Sequence, residues 1–197
     1  MKVNLPSSIR IAALHRQSVE RWHQDSPFSV THEWAKLILE QHRYNYDLWH
    51  EEDKARQINV SDKVIAEVKR RIDHLNQKRN DAIERIDEYF LELGASKPLK
   101  KAVLHSETAG MMIDRLSILA LRLYHMAEQT KRKDVSADHI ERCRVKYKTL
   151  LKQTKDLKAC LQRLLEGWAC GRLYFKVYRQ HKMYNDATLN PALYKHK

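Results

Sequence analysis

The residues most able to do chemistry lie in a charged and aromatic segment in the first third of the chain. His50 is followed closely by two carboxylates, Glu52 and Asp53. A carboxylate beside an imidazole fixes its tautomer and raises its pKa, which suits general acid or general base catalysis. Trp49 and Arg56 add an aromatic face and a guanidinium fork that can hold an anionic group. We therefore predict that His50, Glu52 and Asp53 are catalytic and that Trp49 and Arg56 bind substrate.

The helix that carries this segment turns from an apolar to a polar inward face. Trp34, Leu37 and Ile38 follow helical spacing, and the same spacing continues onto His42 and Asn45 before it reaches the charged residues. Burying charged groups is costly unless they are paired. The segment is therefore either a binding or catalytic site or a structural ion network that fixes helix register, and the sequence leaves both interpretations open.

A second polar group interrupts an otherwise apolar helix later in the chain. Between residues 110 and 127 most side chains are apolar, as expected of a central buried helix, so the charged exceptions are informative. Asp114 and His125 are predicted to oppose His50 as further catalytic residues, although His125 also fits a buried histidine of the core. The remaining substrate-binding candidates are Arg115, Lys182 and Asn185.

Oxygen ligands for a divalent cation are also present, although without a dedicated spacing. Carboxylates suit a cation that bridges to phosphate, so the cofactor stays open and a divalent metal is a candidate. The candidate metal ligands are Glu52, Asp53, Glu107 and Asp114. The sequence contains no glycine-rich phosphate loop, no cysteine pairs at zinc spacing and no nucleophile elbow.

The charge balance predicts an anionic partner. The 197 residues include 37 Lys and Arg against 25 Asp and Glu, which gives a formal net charge of +12. Nucleic acid, a phosphorylated small molecule or an anionic membrane surface would each suit this charge. Three cysteines, an odd number, suggest no disulfide framework. With neither a signal peptide nor a membrane span visible, we predict a cytoplasmic protein.

Composition and periodicity predict an all-α fold. Only four glycines and four prolines interrupt a chain rich in Leu, Lys, Arg, Glu and Ala. We predict a single helical domain over residues 1–197, an antiparallel bundle of about five helices, two of them long, with a short C-terminal tail packed back on the bundle. Capping and periodicity signals place the helices at about 8–24, 29 or 31 to 57, 61–93, 106 to the turn at 131, and 136–178.

Three residues interrupt the regular pattern of these helices. Arg79 is the one misfit in the apolar repeat of the third helix, whose charged outer face is most simply solvated. Gly167 and Gly171 lie four residues apart in the predicted fifth helix. We expect these glycines to permit close approach of another backbone or a kink, rather than ligand contact.

Three long motifs carry a resemblance to a known family. They are Trp-His-Glu-Glu-Asp-Lys-Ala-Arg at 49–56, Ser-Glu-Thr-Ala-Gly-Met-Met-Ile-Asp-Arg-Leu-Ser-Ile-Leu at 106–119, and Lys-Met-Tyr-Asn-Asp-x-x-Leu-Asn-Pro at 182–191. With them in this order, the chain resembles the bacterial domain-of-unknown-function family numbered 4254. The resemblance implies a mostly helical cytoplasmic bacterial protein connected with cell-envelope glycan synthesis, and it implies no particular activity. Ala109 stands where relatives are expected to have proline.

Three hypotheses of function follow from these features. The first is an enzyme or ligand-binding protein that acts on a phosphorylated or nucleotide-linked sugar-type small molecule, between the second and fourth helices. The second is a nucleic-acid-binding module or ribonuclease that uses the basic face of the last helix, whose affinity would fall steeply with salt. The third is a structural or interaction scaffold, with a homodimer formed through the long helices.

The first hypothesis makes a geometric prediction. The segment from Trp49 to Asp53, the helix bearing Asp114 and Arg115, and residues 182–186 should meet around one pocket, because buried charges satisfy one another where they converge. Arg115 should then pair with a carboxylate. Asp114 should face Arg56, His50 or a bound cation.

Overall fold

The structure, a computed structural model, describes residues 5–94, 97–179 and 187–194. Over these residues the chain forms an all-α bundle, which confirms the predicted fold class. The bundle helices are α1 (Ser8–Trp22), α2 (Glu33–Ala55), α3 (Asp62–Glu92), α4 (Ala109–Gln129) and α5 (Ala137–Ala169). A two-residue strand β1 (Val103–Leu104) precedes α4, and β2 (Leu173–Tyr174) and the short helix α6 (Pro191–Tyr194) follow α5.

Helix α4 lies at the centre of the bundle. It packs against each of the other four long helices, while α2 packs mainly on α3 and α4 mainly on α5. Short connections join the helices of these two pairs, which makes them antiparallel neighbours. Met112, Ile113, Leu116 and Leu121 of α4 are each at most 2 % exposed, so the predicted central buried helix is confirmed.

The N-terminal boundaries follow local capping chemistry in most helices. Ser61 and Ser136 occupy the N-cap positions of α3 and α5, as predicted, and of the two candidates Ser7 and Ser8 it is Ser7 that caps α1. Helix α4 begins later than expected from Ser106, because the preceding chain is extended and β1 pairs with β2 in parallel. Thr108 caps α4 instead, by accepting a hydrogen bond from the backbone N–H of Met111 at 3.2 Å.

The fifth helix is shorter than its heptad pattern predicts. It ends at Ala169 rather than near Tyr178, because Gly171 adopts φ +73°, a left-handed conformation that terminates helices. The chain then folds back so closely that a Cβ on Gly167 would lie 2.6 Å from the Leu173 side chain. Gly167 therefore serves close packing, as expected, whereas Gly171 is a helix stop and not a kink.

Among the described helices, none combines the length and the apolar composition needed to cross a membrane. The predicted contact of residues 182–186 with the bundle, including the candidates Lys182 and Asn185, lies outside the described residues.

Candidate functional site

A cavity of about 330 Å³ lies between α2, α3 and α4. Three guanidinium groups line it, those of Arg56 at the end of α2, Arg79 on α3 and Arg122 on α4. We call it the arginine cavity. Its other lining residues are Asn45, Leu48, Trp49, Glu52, Asp53, Asn76, Ile118 and Leu121. Four of the predicted site residues, Trp49, Glu52, Asp53 and Arg56, therefore line one cavity together with residues of α3 and α4.

The three arginines differ in how far they are neutralised. Arg56 pairs with Glu52 on the same helix, at 3.0 Å between Nη2 and Oε2. The Nε of Arg79 is buried and has no hydrogen-bond acceptor in the described structure, since the nearest carboxylate oxygen, Oδ1 of Asp114, is 4.0 Å away. Arg122 forms no ion pair with any described carboxylate. Two of the three guanidinium groups therefore keep donors for an anion.

Asp114 lies behind the arginine cavity at the centre of a polar network. Its Oδ1 accepts hydrogen bonds from Gln41 Nε2 at 2.6 Å and from Asn45 Nδ2 at 2.8 Å. Burial raises the pKa of Asp114, against the opposing influence of Asn45, Arg79 and Gln41. The prediction that Asp114 would face Arg56 or His50 is wrong, because Gln41 and Asn45, which lie earlier on α2, donate to its carboxylate instead. The alternative of a bound cation stays a prediction.

The network continues inward to a serine and a histidine. Asn45 Nδ2 also donates to Ser117 Oγ at 2.8 Å, and Ser117 Oγ lies 2.6 Å from His42 Nδ1. His42 Nε2 lies 3.1 Å from the carbonyl oxygen of His15, so we assign the proton to Nε2 and let Ser117 donate to Nδ1. Ser117 and His42 are 0 % exposed. The pair resembles a nucleophile and its base, but both side chains are enclosed by the bundle, where their hydrogen bonds join α1, α2 and α4.

The acid sensitivity of this inner region gives a first testable prediction. Burial lowers the pKa of His42 to about 3 and that of His15 well below its ordinary value. A histidine whose pKa is lowered by folding stabilises the protein above about pH 6.5, and this contribution is lost as the pH falls towards the lowered pKa. For His42, acidification from pH 7 to pH 5 should cost about 2 kcal/mol.

His15 is the better position to mutate, because neither of its ring nitrogens has a hydrogen-bond partner among the described residues although the ring is fully buried. His15→Leu should leave the free energy of unfolding at pH 7 unchanged or raise it by about 1 kcal/mol. It should also reduce the loss on acidification. Urea denaturation at both pH values measures this, with exposed His74→Ala as control. A loss above about 1 kcal/mol at pH 7 would show that His15 has an essential polar contact.

His50 and His125 lie in an aromatic cluster where α1, α2 and α4 meet. Their ring centroids are 6.1 Å apart, and His23 lies 5.4 Å from His50 and 5.0 Å from His125. The Nε2 atoms of all three are buried without a hydrogen-bond partner in the described structure. Burial, and next the charges of His23 and His125, lower the pKa of His50. The expected pairing of His50 with Glu52 or Asp53 is wrong.

The cluster nevertheless touches the arginine cavity through one residue. Trp49 lines the cavity and stacks on His125, with ring centroids 4.6 Å apart and an interplanar angle of 10°. His50 instead lines a separate hollow of about 350 Å³ with Arg71 and His74. Of the predicted catalytic residues, only Glu52 and Asp53 line the arginine cavity.

Arg115 pairs with a carboxylate, as predicted. Its Nη1 lies 2.6 Å and 2.8 Å from the two carboxylate oxygens of Glu107. The pair lines another cavity, of about 650 Å³, between α4 and α5. This cavity shares Ile118 and Arg122 with the arginine cavity.

The candidate metal ligands do not form one group. Glu107 is engaged by Arg115, Asp114 by Gln41 and Asn45, and only Glu52 and Asp53 line the same cavity. Within residues 5–94, 97–179 and 187–194, no three His, Cys, Asp or Glu side chains are arranged to hold a metal ion. Of these four carboxylates, only Glu52 and Asp53 therefore lie beside the guanidinium groups of the arginine cavity.

Sequence reasoning missed Arg79 and Arg122. The signal for Arg79 was its position as the one misfit in the apolar repeat of α3, but we gave this residue no role in binding. Arg122 lies two helical turns from Arg115, and the sequence places both on one face of α4, but we named only Arg115 as a binding residue. Neither signal says which cavity the side chain enters.

The fold and this site define an all-helical protein with an arginine-lined cavity beside a buried polar network. The chain belongs to the family described as "Protein of unknown function (DUF4254)", whose profile matches residues 35–177. This match confirms the family resemblance; it includes the first two motifs and the arginines of both cavities, Arg56, Arg79, Arg115 and Arg122. Comparisons with curated proteins and with solved structures found no match.

Proposed function

We propose that this protein binds a phosphorylated, sugar-type small molecule in the arginine cavity, as an enzyme or as a ligand-binding protein. The observation that carries the proposal is the guanidinium of Arg79, which lines the cavity and whose nearest described carboxylate oxygen lies 4.0 Å from its Nε. Its Nη groups can donate charge-assisted hydrogen bonds to a phosphate oxygen in the cavity. Arg122 provides a second cation at the same cavity.

The other lining residues suit the rest of such a ligand. Trp49 offers an aromatic surface for a sugar ring, and the amides of Asn45 and Asn76 can hydrogen-bond to hydroxyl groups. The volume of about 330 Å³ lies near the lower end of the range of about 300–1,000 Å³ found for ligand pockets. In an enzyme, Glu52 or Asp53 would act as general base, because these carboxylates line the cavity.

Titration calorimetry with inorganic pyrophosphate and glucose 1-phosphate tests the proposal. Arg79→Gln should weaken binding of whichever compound binds by about tenfold or more, since it removes a charge-assisted hydrogen bond. Arg85→Gln is the matched control, because Arg85 lies on the same helix and pairs with Glu40 outside the cavity. The proposal fails if neither compound binds, or if both variants bind as tightly as the original protein.

Nucleic-acid binding is the alternative function, for which the support is the excess of basic side chains along α5 and its flanks. Residues 131–179 include 14 Lys and Arg against five Asp and Glu. A cytoplasmic location and a homodimer through the long helices stay predictions, and light scattering would test the second.

A further inference from the structure

Two cavities lie on either side of one exposed ridge of α4. The arginine cavity opens towards α2 and α3, and the cavity of about 650 Å³ opens towards α5. We call the second one the α5 cavity. Ile118 and Arg122, which are four residues apart and therefore on one face of α4, line both cavities. A ligand long enough to cross this ridge can occupy both.

The charge on the ridge is available for such a ligand. Arg122 is exposed and forms no ion pair with the described carboxylates. Arg115, the other arginine of the α5 cavity, is held by both carboxylate oxygens of Glu107. An anionic group that crosses the ridge therefore lies beside Arg122, whose guanidinium is not paired with any described carboxylate.

The two cavities offer different surroundings for the two ends of a ligand. The arginine cavity has the indole of Trp49 and the guanidinium of Arg79. The α5 cavity has an apolar floor that includes Leu157, with Gln153 and Asp156 able to bind hydroxyl groups. The arginine cavity alone is at the lower end of known ligand-pocket volumes, whereas both together approach the upper end.

We propose that the ligand is a diphosphate diester that crosses α4 at Ile118 and Arg122, with the diphosphate on Arg122 and one bulky substituent in each cavity. A nucleoside diphosphate joined to a sugar has this form, with an anionic centre between two polar ring systems. This inference rests on the proposed function, because it assigns the substrate class of the same site. It predicts that the protein binds diesters more tightly than sugar monophosphates, because a monophosphate needs only the arginine cavity.

Titration calorimetry with three probes tests the inference: uridine diphosphate glucose, glucose 1-phosphate and uridine monophosphate. The original protein should bind the diester at least tenfold more tightly than either monophosphate. Arg122→Gln should remove most of this advantage, because it should weaken binding of the diester far more than binding of either monophosphate. Arg132→Gln is the matched control, because Arg132 pairs with Asp134 in the turn after α4 and lines neither cavity.

A second variant tests the path of the ligand without a change of charge. Ile118→Trp should obstruct the ridge and weaken the diester selectively, and circular dichroism would verify that each variant is folded. Equal affinities for diester and monophosphates, or equal effects of Arg122→Gln on all three probes, would overturn the inference. If monophosphates bind through Arg79 but the diester has no advantage, this inference alone fails. If Arg79→Gln changes no affinity, the proposed function fails as well.

Discussion

Gly110→Ala should lower the free energy of unfolding by about 3 kcal/mol, one of the two largest effects that we expect in this protein. A Cβ at this position would lie 2.6 Å from the backbone carbonyl oxygen of Ile83 and 2.9 Å from Oδ1 of Asp87. Backbone of α3 cannot move aside as a flexible side chain can, so the two helices would have to separate. Urea denaturation monitored by circular dichroism measures the change.

The separation would also break a buried hydrogen bond. The backbone N–H of Gly110 donates to Oδ1 of Asp87 at 2.6 Å, and Asp87 is 2 % exposed. Asp87 thereby satisfies one of the free N–H groups at the start of α4, although burial raises its pKa to about 6. Met111→Ala is the control, since Met111 is 43 % exposed and its truncation should cost at most about 0.5 kcal/mol. A loss below about 1 kcal/mol for Gly110→Ala would contradict the close contact between α3 and α4.

Asp114→Ala should cost about 3 kcal/mol, because it leaves three polar groups without their acceptor or counter-charge. Gln41 and Asn45 would lose a shared hydrogen-bond acceptor, and Arg79 would lose its nearest carboxylate. Asp114→Asn is the matched variant, because its amide oxygen can still accept from Gln41 and Asn45. It should cost about 1 kcal/mol, with both variants measured by urea denaturation at pH 7.

The same variants separate a structural network from a binding site. Because Asp114→Asn removes the negative charge beside Arg79, it should raise the affinity for phosphorylated compounds several-fold while it lowers stability. Unchanged affinity together with lower stability would mean that Asp114 is only a structural residue. A reduced affinity would contradict the proposed role of Arg79 as a cation that binds the ligand.

Much of the fold was predictable because helix periodicity and capping are local properties. The apolar run of α4 predicted a central buried helix, and Ser7, Ser61 and Ser136 marked three helix starts correctly. The end of α5 was not predictable from its heptad pattern, which continues past the helix. It depends on the left-handed conformation of Gly171 together with the pairing of β2 to a strand about 70 residues earlier in the chain.

The candidate site was predictable only where its residues share one face of a helix. Trp49, Glu52, Asp53 and Arg56 follow one another at helical spacing, so a single surface of α2 carries them and they line one cavity. His50 comes directly after Trp49, and a helix turns by about 100° per residue, so its ring points into the cluster with His23 and His125 instead.

The amino-acid sequence by itself thus determined which residues lie together along each helix, because 3.6 residues per turn sets that relation without any neighbour. Only the tertiary structure decided that Arg79 of α3 and Arg122 of α4 enter the cavity of α2, and that Gln41 and Asn45 rather than Arg56 reach Asp114. The rotation and separation of packed helices depend on residues far apart in the chain. Gly110, for example, allows close contact with the backbone of Ile83.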